Sequence, residues 1–147
     1  MMEWFDKDFH QLTVDELFAI LRLRAEVFNT EQQSDYCDPD DSDPVARHVF
    51  AVDHGRVVAY GRYFGIEKGV TFGRVVIAKD FRGRGLGNEL VKQLLNGIRV
   101  HYPHQPIMIH AQSYVQELYA KFGFQATGKE FIEADRKHYK MTHPALG

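Results

Sequence analysis

The chain has 147 residues, of which 44% are hydrophobic and 26% charged, and its formal net charge is −2. This length fits one domain, 1–147, and the apolar fraction is sufficient to offset the entropy of ordering the chain, which excludes a disordered protein. Because the chain as a whole is slightly acidic, we expect no nucleic acid and no membrane among its partners.

The N-terminal residues and the cysteine content bear on the compartment. The N-terminus lacks a basic segment followed by an apolar one, and no stretch approaches about 18 consecutive apolar residues. The single cysteine, Cys37, cannot form an internal disulfide, which fits a reducing compartment. We therefore expect a cytoplasmic protein.

The apolar pattern of the first third predicts a short strand over residues 4–9 and a helix over residues 14–29. Thr13 followed by Glu16 is a capping box, in which each side chain satisfies a backbone amide at the start of the helix. Residues 30–47 are polar, acidic and interrupted by two prolines. We predict a long loop there, and loops of this length in a small domain usually carry function.

The predicted loop is rich in aspartate at positions 35, 38, 40, 41 and 43. This local charge suggests a positively charged acceptor molecule, such as an amine or a basic peptide end, although a merely solvated loop explains the composition equally well. A calcium loop is excluded because Asp43 stands where glycine is required and Val49 where a bidentate glutamate is required.

The middle of the chain predicts three antiparallel strands in series. Residues 49–52 and 57–64 read as a hairpin around the turn at 53–56, and a second turn leads into a strand over 70–77. A helix over 85–100 and a strand over 107–111 follow. Because a helix connects them, the strand over 107–111 is expected to pair in parallel with the strand over 70–77.

The last part predicts a helix over 113–122, closed by Gly123, and two closing strands over 124–132 and 138–141. The fold class is therefore α/β (α+β), with a mixed, mostly antiparallel central sheet flanked by helices.

A glycine-rich turn separates the strand over 70–77 from the helix over 85–100. It reads Arg82-Gly83-Arg84-Gly85-Leu86-Gly87. Glycines let a ligand approach the backbone closely, and the first turn of a helix leaves N–H groups unpaired. Together with the helix dipole and the two arginines, these donors favour a phosphate or pyrophosphate group.

The same six residues match the Arg/Gln-x-x-Gly-x-Gly/Ala pattern of the GNAT superfamily of acyl-CoA-dependent N-acyltransferases. The stretch over 107–124, with Gln112, Tyr119 and Gly123-Phe124, resembles that superfamily's second motif. Within the superfamily the chain is similar to the ElaA-like branch over nearly its whole length, through Glu31-Gln32 and Arg47-His48 among other residues. It departs from that branch at Asn29-Thr30 and at residues 134–137. These departures leave the identity of the acyl acceptor more open than the identity of the cofactor.

The resemblance implies acetyl-CoA as co-substrate, no metal, and a small-molecule or peptide amine as acceptor. Backbone groups of Val75 and Ile77, on either side of Val76, would pair with the pantetheine arm as an added strand does. Backbone N–H groups over 83–87, flanked by the side chains of Arg82 and Arg84, would hold the pyrophosphate. The Gln112 amide would bond to the pantetheine arm, or would instead cap the following helix.

Tyr119 lies on the apolar face of its predicted helix, where a tyrosine is usually a core residue, and the resemblance assigns it catalysis. A phenol with a reference pKa of about 10 stays protonated at neutral pH and can act as general acid toward a thiolate. For the general base, Glu31, His48 and a water held by Asp40 or Asp41 all remain candidates. We interpret His110, inside an apolar strand, as a core histidine, and the histidines do not have metal-ligand spacing.

Other functions remain open. The fold could bind acyl-CoA without transfer, as a sensor or interaction module, or belong to an acyl-homoserine-lactone-synthase-like enzyme. A nucleic-acid contact through residues 82–85 is disfavoured by the negative net charge and the lack of an adjoining aromatic platform. The sequence leaves the acyl acceptor and the oligomeric state, including a homodimer, undetermined.

Overall fold

The structure, a computed structural model, describes residues 2–147 and contains seven strands that form one sheet. The strands are β1 (Met2–Asp8), β2 (Arg47–Asp53), β3 (Arg56–Ile66), β4 (Gly69–Ile77), β5 (Ile107–Gln112), β6 (Gln125–Glu133) and β7 (Arg136–His143). Their spatial order is β1-β2-β3-β4-β5-β7-β6, and every pair is antiparallel except β4 with β5. The predicted fold class and the parallel pairing are confirmed.

The helices are α1 (Val14–Arg24), α2 (Leu86–His101) and α3 (Gln116–Ala120). The capping box of α1 is present, since the Glu16 N–H donates to Thr13 Oγ1 at 3.0 Å and the Thr13 N–H donates to Glu16 Oε1 at 2.9 Å. A π-helical segment, Ala25–Glu31, continues α1 toward the loop. The predicted helix over 113–122 is a 3-10 turn, Ser113–Val115, followed by the short α3, so that prediction was too long.

Two apolar cores lie on opposite faces of the sheet. On one face, α2 and α3 pack on Tyr63 of β3 and Ile109 of β5. On the other, α1 packs on Tyr60 of β3 and on Phe50 of β2. We refer to these faces as the α2 side and the α1 side. Because successive side chains on a strand alternate, each strand contributes to both sides.

The centre of the sheet opens between β4 and β5. Their parallel pairing joins Val70 with Ile107 at the start of both strands, and beyond this pair the strands separate. A β-bulge in β4 adds to the opening: Tyr60 pairs with Val76 and Arg62 with Gly73, so two residues of β4 stand opposite one residue of β3. Bulges bend the strand that carries them, and this bend frees an edge in the middle of the sheet.

The helices of the described residues, 2–147, include none that is long and apolar enough to cross a membrane.

Candidate active site

A cleft of about 670 Å³ fills the space between the separated strands. From the α2 side it is lined by Val115, Leu118 and Tyr119, and from the α1 side by residues of β3, β5, the α1–β2 loop and the β6–β7 hairpin. On β5, Ile109 and Ala111 belong to the α2-side core, so Met108 and His110 project to the α1 side. The cleft therefore connects the two faces of the sheet.

The bulge places Arg74 at the wall of this cleft in an unusual conformation. Its φ is 51°, in the left-handed region that favours glycine and costs other residues about 1–2 kcal/mol. Ion pairs compensate: Arg74 Nε lies 2.9 Å from Asp38 Oδ1, and Nη2 lies 3.3 Å from Asp40 Oδ2. The guanidinium also lies over the ring of Tyr36, 5.0 Å from its centroid. The α1–β2 loop thus fixes the bulge.

The glycine-rich turn leads directly into α2. Gly83 and Gly85 have φ angles of 77° and 78°, which side chains tolerate poorly, and open space surrounds both Cβ positions. The first bond within α2 runs from the Glu89 N–H to the Gly85 carbonyl, so the preceding N–H groups of the helix are free to bind an anion. A Cβ at Gly87 would lie 3.5 Å from Leu118, which places the turn beside the cleft.

The two arginines of the turn have different partners. Arg82 forms a bidentate ion pair with Glu31 at 2.5 and 3.0 Å and donates to the Ile77 carbonyl at 3.1 Å. The hydrogen bond from Arg82 is the main cause that lowers the pKa of Glu31. Arg84 lies over the ring of Phe81, 4.6 Å from its centroid, at the exposed edge of the turn.

The strand residues predicted to bind the cofactor divide between cleft and core. Val75 lines the cleft, whereas Val76 is buried in the α1-side core. Ile77 packs partly against both cores, and its carbonyl oxygen accepts the bond from Arg82. The side chains of β4 can therefore support the core while its backbone edge faces the cleft.

Tyr119 is 5% exposed and lines the cleft from α3. Its ring meets Phe72 edge-on with centroids 5.6 Å apart, which fixes its orientation. Among residues 2–147, the Tyr119 hydroxyl has no hydrogen-bond partner. Burial raises the pKa of this phenol, so it stays protonated throughout the neutral range.

Gln112 ends β5 and makes no capping bond to the following turn, so the capping alternative does not hold in this structure. Its amide instead exchanges long bonds with the Gln32 amide, at 3.3 and 3.5 Å. Its Oε1 also accepts from Arg136 Nε at 3.2 Å. These contacts link the α1–β2 loop, β5 and the β6–β7 hairpin across the mouth of the cleft.

Three of the five aspartates in the acidic loop are paired with arginines of α1, β3 and β4, so the loop offers less free negative charge than its composition suggests. Asp43 accepts from Arg24 at 2.8 Å and from Arg62 at 2.7 Å, and Asp38 accepts from Arg24 at 2.9 Å. Asp40 accepts from Arg62 at 2.7 and 3.0 Å. Burial alone would raise the pKa of Asp43, but its hydrogen bonds with Arg24 and the loop backbone, and its charge partners, lower it to about 2.

His48, a candidate base, is buried outside the cleft lining. Its Nδ1 lies 2.6 Å from the Tyr60 hydroxyl and its Nε2 lies 3.0 Å from the Asp43 carbonyl. Burial lowers the pKa of His48. Both ring nitrogens are thus engaged in holding the loop, and the structure does not bring this histidine to Tyr119.

His110 lines the cleft, as His138 does, and the interpretation of His110 as a core residue was wrong. Its side chain is 42% exposed, and its Nδ1 lies 2.9 Å from Glu133 Oε1 of the β6–β7 hairpin. The apolar residues Ile107, Ile109 and Ala111 alternate along β5, which was the sequence signal that His110 faces the other side. Glu133 carries no such local signal.

The parted strands, the bulge and the glycine turn define the acyl-CoA N-acyltransferase fold. Residues 19–144 match the family model described as an acetyltransferase (GNAT) domain, so the chain belongs to the GNAT family. The predicted resemblance to the ElaA-like branch is also confirmed. Protein ElaA of Escherichia coli K12 is 31% identical over 151 aligned residues that cover 99% of both chains.

Solved structures agree with this assignment. An acyl-CoA N-acyltransferase from Pseudomonas aeruginosa superposes with a TM-score of 0.92 and 34% identity, covering 97% of this chain and 99% of that one. Escherichia coli ElaA superposes with a TM-score of 0.91 and 33% identity, covering 95% and 98%. A CoA-dependent acyl-homoserine lactone synthase, BjaI, shares the fold alone, with a TM-score of 0.79 and 15% identity over 97% and 82% of the two chains.

Proposed function

We propose that this acyl-CoA acyltransferase moves an acetyl group from acetyl-CoA to a primary amine by direct attack of the amine on the thioester, with Tyr119 as general acid. The observation that carries the proposal is the position of the Tyr119 hydroxyl. Tyr119 lines the cleft that opens between two strands beside the glycine turn, and its hydroxyl has no hydrogen-bond partner among residues 2–147.

The glycine-rich turn and β4 support the assignment of acetyl-CoA as the acyl donor. The free N–H groups at the start of α2 suit the pyrophosphate, and the open edge of β4 near Val75 suits the amides of pantetheine. A ligand that spans from the turn into the cleft passes Leu118 and reaches Tyr119. Gln112 lines the cleft and would exchange its long bonds with Gln32 for bonds to the pantetheine arm.

The acid role follows from the surroundings of Tyr119. Negative charge develops on the sulfur as the C–S bond breaks, and a phenol that donates its proton there neutralises the departing thiolate. Burial keeps the phenol protonated when the site is empty. Within the described part of the chain, residues 2–147, no hydrogen bond of this hydroxyl would have to break before donation.

The acceptor half lies on the α1 side of the cleft. Aromatic residues Phe28, Tyr36 and Phe64 line it together with Glu133. Three of the five loop aspartates, Asp38, Asp40 and Asp43, are paired with arginines, so the acceptor is recognised by this aromatic wall and by the hairpin more than by free loop charge. We place the reaction in the cytoplasm, in keeping with the exposed, unpaired Cys37.

Two assays test the proposal in sequence. Thermal stabilisation by acetyl-CoA, compared with ATP, NAD and RNA, reports which ligand binds the native state. Release of free CoA thiol is then measured with phenethylamine, tyramine, spermidine, L-lysine and a short peptide, and the acetylated product is identified by mass.

Each alternative predicts a different pattern. Stabilisation by acetyl-CoA without thiol release from any amine would favour a non-catalytic binder. Thiol release that requires S-adenosylmethionine would favour the lactone-synthase alternative, because BjaI, which shares this fold, was solved with that molecule. An acetylated amine supports the proposal.

A further inference from the structure

The α1 side of the cleft contains a group that neither the sequence nor the family assignment marks as functional. His110 of β5 and Glu133 of the β6–β7 hairpin are 23 residues apart in sequence and form a 2.9 Å contact at the cleft wall. We propose that His110 is the general base that takes the proton from the amine acceptor, and that Glu133 is the residue that positions it. This inference rests on the proposed function.

The contact with Glu133 determines which ring nitrogen is available. An ionised carboxylate only accepts hydrogen bonds, so the Nδ1 that touches Glu133 carries the hydrogen. The Nε2 of a neutral His110 then bears the free lone pair. Within residues 2–147 that nitrogen has no hydrogen-bond partner, and the residue lines the cleft. A base needs this arrangement, because its lone pair must be open to the substrate.

The ring of His110 is fixed in place by its neighbours. Phe131 of β6 meets it edge-on with centroids 5.0 Å apart, and the same Phe131 ring stacks on His138 with centroids 5.8 Å apart. His138 is itself held, since its Nδ1 donates to the Arg136 carbonyl at 2.8 Å. Its Nε2 lies 4.0 Å from the second oxygen of Glu133, so the carboxylate is positioned between the two histidines.

Charged groups of several elements surround this pair. Lys140 of β7 is the cross-strand neighbour of His110, and Glu130 of β6 bonds to Ser113 nearby. On the walls of the same cleft stand Arg62, Arg74 and Arg136. The two arginines of β3 and β4 are already paired with loop aspartates. Glu133 is therefore the carboxylate that contacts His110 directly.

The proton balance of the step closes without any further reagent. An alkylammonium ion gives one proton to His110 Nε2, and the neutral amine forms a C–N bond to the thioester carbonyl. The C–S bond breaks, the sulfur takes the hydroxyl proton of Tyr119, and the nitrogen of the new amide returns a proton to the phenolate. His110 is open to solvent and releases the remaining proton, which matches the one proton that acetylation of an ammonium ion liberates.

The earlier candidates are less suited to this step. Glu31 is bound in a bidentate pair with Arg82, which lowers its pKa and makes it a weaker base. His48 uses both ring nitrogens inside the protein and lies outside the cleft lining. Asp40 is paired with Arg62 and Arg74, which leaves little affinity for a proton.

The first test measures kcat/KM against pH at saturating acetyl-CoA, with the amine of the panel that reacts fastest. The wild-type kcat/KM is expected to fall at acid pH, because a protonated imidazole has no lone pair to accept the proton of the amine. His110→Gln is expected to lose the part of that fall that depends on the imidazole and to react about 10²–10⁴-fold more slowly near neutral pH. Imidazole added to His110→Ala is expected to restore part of the rate, which a purely structural role would not allow.

Glu133→Gln tests the positioning residue. Loss of the carboxylate removes the acceptor that holds Nδ1–H, so kcat is expected to fall, but less than in His110→Gln, while KM for acetyl-CoA stays unchanged. The kcat of Glu133→Asp is expected to lie between those of Glu133→Gln and the wild type. The matched control is His10→Gln, an exposed histidine outside the cleft lining, whose profile is expected to be unchanged.

The second test does not depend on turnover. The nitrogen chemical shifts of the His110 ring in the full chain report its tautomer, with the signal assigned by its absence in His110→Gln. A neutral ring protonated at Nδ1 supports the inference, and one protonated at Nε2 overturns it. If the wild type acetylates an amine while His110→Gln keeps the same profile, only the base assignment fails. If no amine is acetylated, the proposed function fails, and the base assignment fails with it.

Discussion

Replacing Asp43 by asparagine is expected to destabilise the protein strongly, although Asp43 lies in a loop. Its two carboxylate oxygens accept from Arg24 at 2.8 and 3.2 Å, from Arg62 at 2.7 Å and from the Asp40 N–H at 3.0 Å. Arg24 and Arg62 are almost completely buried. The substitution removes the negative charge between two buried cations without removing the cations.

The lowered pKa of Asp43 gives a first measure of the cost. Hydrogen bonds and charges bring it from 3.8 to about 2 despite its burial. At 1.36 kcal/mol per pKa unit, this difference corresponds to roughly 2–3 kcal/mol of stability at neutral pH. Breaking a buried ion pair by removing one partner typically costs about 3–5 kcal/mol. Both figures predict a fall in Tm of roughly 10 °C for a chain of this size.

The sign of the pH dependence follows from the direction of the shift. A carboxyl group whose pKa is lower in the folded state stabilises the protein above its unfolded pKa, and the benefit is lost as pH falls through the folded pKa. The wild type is therefore expected to lose this contribution between about pH 4 and pH 2. Asp43→Asn should lack that part of the acid transition.

Thermal and urea unfolding at pH 7 and at points down to pH 2 measure both effects. Asp41→Asn, an exposed aspartate of the same loop, is the control and is expected to change stability by less than about 0.5 kcal/mol. For a chain of this size, 1 kcal/mol of stability corresponds to roughly 2–4 °C in Tm. If Asp43→Asn melts within about 2 °C of the wild type and keeps the same acid transition, the ion-pair network does not hold this loop in place.

Three further substitutions test the catalytic and cofactor sites. Tyr119→Phe is expected to lower kcat by about 10²–10⁴-fold and to leave acetyl-CoA affinity nearly unchanged; an unchanged kcat would discard the acid role. Glu31→Gln should free Arg82 to bind the pyrophosphate. The KM for acetyl-CoA should then fall by up to about fivefold, which corresponds to the free energy of an exposed ion pair. A large fall in kcat would instead indicate that Glu31 is the general base. Gly85→Ala, at a φ of 78°, should cost about 1–2 kcal/mol of stability and also weaken CoA binding in calorimetry. Gly55→Ala, with the same φ in a distant turn, should lose stability without losing CoA affinity.

The order and type of the elements could be predicted because their signals are local. The capping box at Thr13 marks the start of α1, and Gly85 marks the entry to α2. Alternating or helically spaced apolar residues indicate the strands and helices between such markers. The segment after Gln112 was harder, because the 3-10 turn and the short α3 share one apolar pattern with a continuous helix.

The ion-pair network illustrates what the sequence conceals. Five aspartates in one loop indicate negative charge, but the arginines that neutralise three of them come from α1, β3 and β4. Arg24, on the apolar face of α1, was the one local sign, because an arginine rarely lies in a core without a partner. The left-handed conformation of Arg74 also depends on these tertiary contacts and has no sequence signature.

The sequence carries more local signals for the donor side of the candidate site than for its acceptor side. The glycine turn, Gln112 and Tyr119 belong to short motifs that can be recognised in sequence. His110 and Glu133 meet only because β5 and the β6–β7 hairpin are brought together by the sheet order. Recognition of an acceptor is built from such long-range pairs, and spacing along the chain does not reveal them.

A crystal structure with a non-hydrolysable thioether analogue of acetyl-CoA tests the central claim most directly. The proposed site predicts the pyrophosphate at the N–H groups of residues 83–87 and the pantetheine arm along β4 near Val75. It also predicts the sulfur within hydrogen-bond reach of the Tyr119 hydroxyl, and the acyl carbon open toward His110. An analogue bound elsewhere, or one whose sulfur lies away from Tyr119, would contradict it.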